Sequence, residues 1–535
     1  MLDRKLARGA ICVLLAIGLA TDGRAADLAL WYRQPAGRWV EALPVGNGRL
    51  GAMVFGGIES ERLQLNEDSL WLGWPDETDN PAALEALPKI RELLFAGEYG
   101  EAERLTNHTQ ICLPGERGSF GSYTTLGDLR LEFDGHNRES SDYRRELSLE
   151  DAIARVSYAI GDAHFERETF ASAPDQVLVS RLTCDRPGGL TLRITIARPD
   201  IGDVAASDEG LVLSGQFLRG DEQTGMRFVA RLQVLAEGGT VAADGDAIQV
   251  RDADVVTLLL AAGTDFRDAS CEQTTADQLA AAVARPYAEL RRRHLDDYRA
   301  LFSRVSLDLG ENDGAAALPT DERLVRMANG GDDPGLVALY FQLGRYLLIS
   351  SSRPGDMAAN LQGIWAEGVQ NPWNCDYHAN INVQMNYWLA ETTNLPECVE
   401  PLVRLIDAIR EPGSRTVATH YGARGWTVHT IHNPWGFTSP GREARWGLFP
   451  MAGPWLCQHL WEHYAFGGDE DFLRGAWPTM RESAEFCLDW LVEDPRTGKL
   501  VSGPANSPEN KFIGPDGEQH YVCMGPTMDQ EIIWD

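Results

Sequence analysis

With 535 residues, 44% of them hydrophobic and 24% charged, the chain is too long for one ordinary domain and too apolar for a disordered one, so two or three packed domains are expected. A formal net charge of −31 excludes nucleic acid and anionic membrane surfaces as partners, because both would be repelled, and suits a neutral substrate.

The chain opens with Arg4, Lys5 and Arg8 ahead of an apolar run from Ala10 to Ala20, followed by small residues at Gly23 and Ala25. Residues 1–25 therefore read as an export signal, and the mature chain is expected in the periplasm or outside the cell. The run is too short to span a bilayer comfortably, and no later stretch is long enough, so no membrane association is expected after cleavage. Eight cysteines follow the signal, from Cys112 to Cys523, without any C-x-x-C spacing. Export permits disulfides, and scattered buried thiols fit equally well.

Residues 27–271 read as strands. Runs such as Ala152 to Ile160, Leu190 to Ile196 and Val255 to Ala261 are short, rich in Val, Leu and aromatics, and bounded by Gly, Asp, Asn and Pro, which points to a large antiparallel β-sandwich. One helical interruption is expected from Pro81 to Leu105. Asn66-Glu67-Asp68, directly after a strand, reads as turn-capping side chains. Residues 272–317 switch to helical periodicity, with Pro286 placed to start a second helix, and read as a helical linker. Its Arg291-Arg292-Arg293 run reads as a solvated face.

From 318 to 535 the periodic segments are helical. Asp333 opens one helix, Asn382 another, Pro396 a third that should stop at Gly413, and Asp469 a later one with acidic residues in its first turn. About six main helices suggest helix pairs stacked as an (α/α) barrel. His459 and His463 sit one helical turn apart, but Glu462 is misplaced for H-E-x-x-H, so no metal and no cofactor are expected.

The most informative stretch runs from Asn360 to Trp388. It combines three tryptophans with many amides and the alternation His378-Ala379-Asn380-Ile381-Asn382. If that alternation is extended backbone, His378, Asn380 and Asn382 project to one side as a row of hydrogen-bonding groups beside aromatic planes, a surface suited to a sugar. A buried polar loop satisfying its own backbone is the alternative. Trp373, set among polar groups, is the tryptophan best placed to stack on a sugar. Gly425 to Trp435 forms a second polar and aromatic loop expected to line the same cleft.

The wording NLQGIW, NPWNCDYHANIN and QMNYW, with LWYRQPAGRWVEALPVGNGRLGAMVFGG near the start and SPEN later, resembles glycoside hydrolase family 95, the inverting α-L-fucosidases, which has some α-L-galactosidase members. The resemblance implies a β-sandwich beside an (α/α)6 barrel, of which 318–535 would be the N-terminal, incomplete part. It implies a fucosylated oligosaccharide or glycan as substrate. Glu509 matches the general acid, Asn380 and Asn382 the pair that activates water with help from a downstream aspartate, and His378 a sugar contact. Near Pro434 the sequence departs from the family, which commonly carries an aspartate there. A catalytically impaired sugar-binding fragment, or another (α/α)-barrel glycosidase or phosphorylase, are the alternatives.

Overall fold

The computed structural model describes residues 28–114, 120–219, 222, 224–310 and 314–535. The export signal read at residues 1–25 lies outside the described residues.

Two antiparallel sheets form the first half. A nine-stranded sheet runs from Ala29–Tyr32 at one edge to Asp203–Ser207 at the other, and a seven-stranded sheet from Thr240–Asp244 to Leu43–Gly46. Sequence alternation sets which faces meet: in the strand Leu190–Ala197, Leu190, Leu192, Ile194 and Ile196 are buried while the residues between them are not. The expected single helix after the first strands is two, α1 (Ala83–Ala96) and α2 (Tyr99–Thr109). Gly97 divides them, its φ of 81° closing α1 with a bond from its N–H to the Leu94 carbonyl.

Helices α3 (Cys271–Val283) and α4 (Tyr287–Phe302) flank an extended Pro286, as the sequence suggests. The Arg291-Arg292-Arg293 run is not simply a solvated face. Arg291 reaches Glu168 at 3.1 Å and Arg293 reaches the buried Asp175 at 2.8 Å, so two of the three bind the helix to the sandwich. Only Arg292, paired with exposed Asp296, faces water.

The remainder is helical: α5 (Thr320–Ala328), α6 (Pro334–Ser351), α7 (Asn382–Thr392), α8 (Glu400–Tyr421), α9 (Ala444–Gly447), α10 (Ala452–Gly467), α11 (Glu470–Trp490) and α12 (Thr527–Trp534). Asp333 caps α6 by accepting from Leu336 N at 2.9 Å, and Asp469 caps α11 by accepting from Asp471 N and Phe472 N. Helix α8 does not stop at Gly413. It runs past Pro412 and Gly413 and ends at Gly422, which has φ 62°. Gly413 serves close approach instead, since a Cβ there would lie 2.4 Å from the Thr427 carbonyl oxygen.

Sandwich and helices share one continuous core, in which Leu63, Leu65, Trp71 and Tyr123 join Tyr377, Val383 and Tyr387. A buried charged cluster closes the joint. Asp68 accepts from Met357 N at 2.8 Å and pairs with Arg267, which also lies 3.9 Å from Asp356. Glu67 accepts from Ser69 N and Oγ and lies 3.3 Å from Arg49. The turn-capping role read for Asn66-Glu67-Asp68 thus holds for Glu67 alone, while Asn66 and Asp68 bond across to the helical half. Burial, and then the charge of Asp68, push Glu67 up to about 7 and Asp356 up to about 8.

Two outcomes follow from this architecture. Gly413→Ala should cost about 1–3 kcal/mol in chemical denaturation although alanine is the better helix former, because the methyl group meets a fixed carbonyl. Glu67 and Asp356 hold protons more tightly folded than unfolded, so their contribution is full in acid and is lost as pH rises through about 7 to 8. The melting temperature should therefore fall between about pH 5 and 8 and level off above that, and less steeply in Glu67→Gln; parallel slopes in the two proteins would rule this out.

Candidate active site

Tyr377–His378 forms a short antiparallel pair with Ile431–His432. The Tyr377 ring is fully buried between Trp71 of the sandwich, at 5.4 Å and 26°, and His432, at 5.0 Å and 14°, and its hydroxyl donates to the Ala358 carbonyl at 3.0 Å. The strand ends there. Ala379 donates its N–H to the Thr430 carbonyl at 2.7 Å, Ala379–Ile381 turns, and Asn382 opens α7. The expected row of His378, Asn380 and Asn382 along one extended strand is therefore replaced by a strand end, a turn and a helix start. Asparagine favours such positions because its short amide competes with regular backbone pairing.

The amides of this stretch divide into two groups. Asn360 accepts from Gln362 N, Asn371 donates to the Tyr123 and Gly368 carbonyls, Gln384 to the Ala379 carbonyl at 2.7 Å, and Asn386 to the Asn360 carbonyl at 2.9 Å. These hold the fold. Asn380 and Asn382 make no side-chain hydrogen bond within the described protein, and Asn380 Oδ1 is buried without a partner. An uncommitted amide oxygen beside a histidine has its acceptor capacity left for a ligand hydroxyl or a water.

His378 is half-buried, with Nδ1 only 2.6 Å from Oδ1 of the buried Asp376. His432 is fully buried, neither ring nitrogen has a partner in the described protein, and burial, reinforced by His378, lowers it to about 3, so it is neutral. Trp373 is 72% exposed and lies in three successive left-handed residues, with φ 48° at Trp373, 58° at Asn374 and 46° at Cys375. Such backbone is costly for non-glycine residues. Bonds from Asn374 N to the Asn371 carbonyl and from Ser122 Oγ to the Asn374 carbonyl hold it.

Glu509 lies in the loop after Ala505, which bridges to Cys523. That loop is joined to the motif strand through a third segment: Thr430 Oγ1 donates to the Trp446 carbonyl at 2.5 Å, while Asn506 donates from its backbone to Leu448 and from Nδ2 to Ala444 at 2.8 Å. A hydrogen-bonded path thus links Ala379 to Asn506. The Glu509 side chain is exposed and has no ionic or hydrogen-bonding partner among the described residues.

Sequence reasoning singled out His378, Asn380, Asn382, Trp373 and Glu509 and passed over Asp376, although two-residue spacing in a strand puts it on the same side as His378. The Gly425–Trp435 loop lines the site less than expected. Trp426 is buried with Nε1 bonded to the Thr479 carbonyl, and His429 is locked between the Tyr421 hydroxyl and the Thr438 carbonyl, leaving chiefly His432 beside the motif strand. His459 is buried and His463 is bonded to Glu391 at 2.6 Å, so the two do not form a matched pair of free ligands. A cavity of about 640 Å3 between α8 and α11 reaches Tyr377 but none of the five singled-out residues.

Residues 286–535 match the sequence profile described as "Glycosyl hydrolase family 95 catalytic domain", and residues 30–269 that of "Glycosyl hydrolase family 65, N-terminal domain". The chain is 38% identical to alpha-L-fucosidase 2 of Arabidopsis thaliana, over 95% of this chain and 64% of that protein. It is 34% identical to probable alpha-fucosidase A of Aspergillus niger, over 96% and 66% respectively. The chain thus spans just under two thirds of the length of these relatives. In fold it is similar to a putative kojibiose phosphorylase from the human microbiome, with a TM-score of 0.60 at 9% identity over 90% of this chain and 62% of that one.

The division of the amides is open to measurement by denaturation. Asn386→Ala should lose about 1–3 kcal/mol, because it strips a buried carbonyl of its donor, whereas Asn380→Ala and Asn382→Ala should stay within about 0.5 kcal/mol of the parent or gain slightly.

Proposed function

We propose that this chain, whose residues 286–535 match the glycoside hydrolase family 95 catalytic domain, is a member of that family and an exported enzyme removing terminal α-L-fucose, α-1,2-linked, from oligosaccharides or glycans with inversion. The observation that carries the reading is the pair of uncommitted amides, Asn380 and Asn382, beside His378, at a turn and helix start tied through Thr430 to the segment that anchors the Glu509 loop.

Inversion needs an acid that protonates the departing oxygen and, on the opposite face of the sugar, a group that orients and activates water, with room for that water between them. Glu509, exposed and without an ionic or hydrogen-bonding partner among the described residues, is the acid. Asn380 Oδ1 accepts from the water and Asn382 helps to hold it. His378 bonds a ring hydroxyl, and the exposed face of Trp373 packs on the apolar face of the glycan.

A second reading, sugar binding without turnover, is favoured by one specific fact: among the described residues no carboxylate is hydrogen-bonded to Asn380 or Asn382, and an amide alone is a poor base. Incubation with a 2'-fucosylated oligosaccharide separates the two. Hydrolysis should yield β-L-fucose first, seen by proton NMR, and Glu509→Gln should lower kcat by about 10²-fold or more while leaving L-fucose binding nearly unchanged. Binding without release by the parent chain would establish the second reading, and full activity in Glu509→Gln would remove that residue from the mechanism.

A further inference from the structure

The segment that carries Glu509 runs from Gly503 to Cys523, and near its ends Ala505 and Cys523 exchange both backbone bonds, at 3.1 and 2.9 Å. Further anchors come from the sandwich half, from the helices α1 and α2 inserted between its strands. Arg91 of α1 donates from Nε to the Gly503 carbonyl at 2.9 Å, at the start of the segment. Glu103 of α2 holds the other end. Its Oε1 accepts from Tyr521 N and from Val522 N, the latter at 3.0 Å, and its Oε2 lies 3.5 Å from His520 Nδ1. Between these points Phe512–Ile513 pairs with Gln519–His520, and the Tyr99 ring of α2 meets Phe512 edge-on at 5.0 Å. Asn107 of α2 accepts from Ala444 N at 2.8 Å, and the Ala444 carbonyl in turn accepts from Asn506 Nδ2. Ile90, Leu94, Ala102, Ala444, Leu448 and Val522 close this joint as a small apolar core of its own.

We propose that Glu103 is a positioning residue: by fixing the peptide groups of Tyr521 and Val522 it holds the loop that aims the Glu509 carboxyl at the departing oxygen. The assignment deepens the fucosidase reading of this site and rests on it for the role of Glu509. One oxygen of Glu103 takes two successive N–H donors, and hydrogen bonds to an ionised acceptor are about twice as strong as neutral ones. Glu509 has no partner of its own among the described residues, so its aim depends on the backbone beneath it. A misplacement of about 1 Å in a reacting group is enough to cost about 10²-fold in rate. His378, Asn380 and Asn382 stand on a different segment, at the start of α7, so loosening the Glu509 loop removes the acid and leaves the sugar contacts in place.

The test pairs two substrates that differ in their need for an acid. A 2'-fucosylated oligosaccharide must have its leaving oxygen protonated, whereas α-L-fucosyl fluoride loses fluoride without a proton. Glu103→Ala should lower kcat on the oligosaccharide about tenfold or more with KM within about twofold, and should change kcat on the fluoride less than about threefold. Glu103→Gln keeps the accepting oxygen and should bring the oligosaccharide rate back to within about threefold of the parent. Equal losses on the two substrates, or no loss on either, overturn the proposal. If Glu103→Ala does not fold, Glu103→Asp, one methylene short of both N–H groups, carries the same expectation. Hydrogen exchange on the full chain separates the proposal from its premise: the variant should exchange faster at residues 507–523 and not at 377–386. A parent that hydrolyses neither substrate, or a Glu509→Gln that loses both equally, refutes the acid reading. Exchange then decides the anchoring by itself, and unchanged protection at 507–523 overturns it.

Discussion

The site depends on one buried ring. Tyr377 lies between Trp71 from the sandwich and His432 from the loop before α9, with its hydroxyl fixed on Ala358. Aromatic contacts of this kind contribute about 0.5–1.5 kcal/mol each beyond the area they bury, and here they also set register. Asp376 and His378 flank Tyr377 in sequence and so leave its strand toward the opposite side. Trp71 is itself held by a bond from Nε1 to the Asp68 carbonyl, and the Asp68 carboxylate accepts from Met357 N in the helical half. The position of the chemistry is therefore inherited from the sandwich.

Much of the fold was legible because it rests on periodicity. Alternating burial in strands such as Leu190–Ala197, the caps at Asp333 and Asp469, and the extended Pro286 between two helices are local consequences of residue type. Failures occurred where a distant group decided. Gly413 has the composition of a helix stop, but the Thr427 carbonyl, contributed by another segment, is what demands a glycine. Arg291 and Arg293 look like solvent-facing charges until the sheet supplies Glu168 and Asp175.

The candidate site was legible in a different way. Residue identities pointed to His378, Asn380 and Asn382, yet their supposed common strand does not exist. Composition cannot say which of many amides are committed to backbone; only tertiary contacts distinguish Asn386, bonded to two carbonyls, from Asn380, bonded to none. Glu509 came from family resemblance, since a turn glutamate carries no signal of its own. Asp376 was within reach of the two-residue rule and was not singled out.

The amides of Gln64 and Asn66 both donate to the carbonyl of Ala366, and Asn66 Oδ1 accepts from Ala366 N, so an inner strand of the sandwich clasps the segment leading into the motif. Exchanging one half of the molecule for that of another protein therefore meets a barrier at this seam. A crossover that replaces the β half must bring Gln64, Asn66, Asp68 and Trp71 together or leave a buried peptide group unanswered.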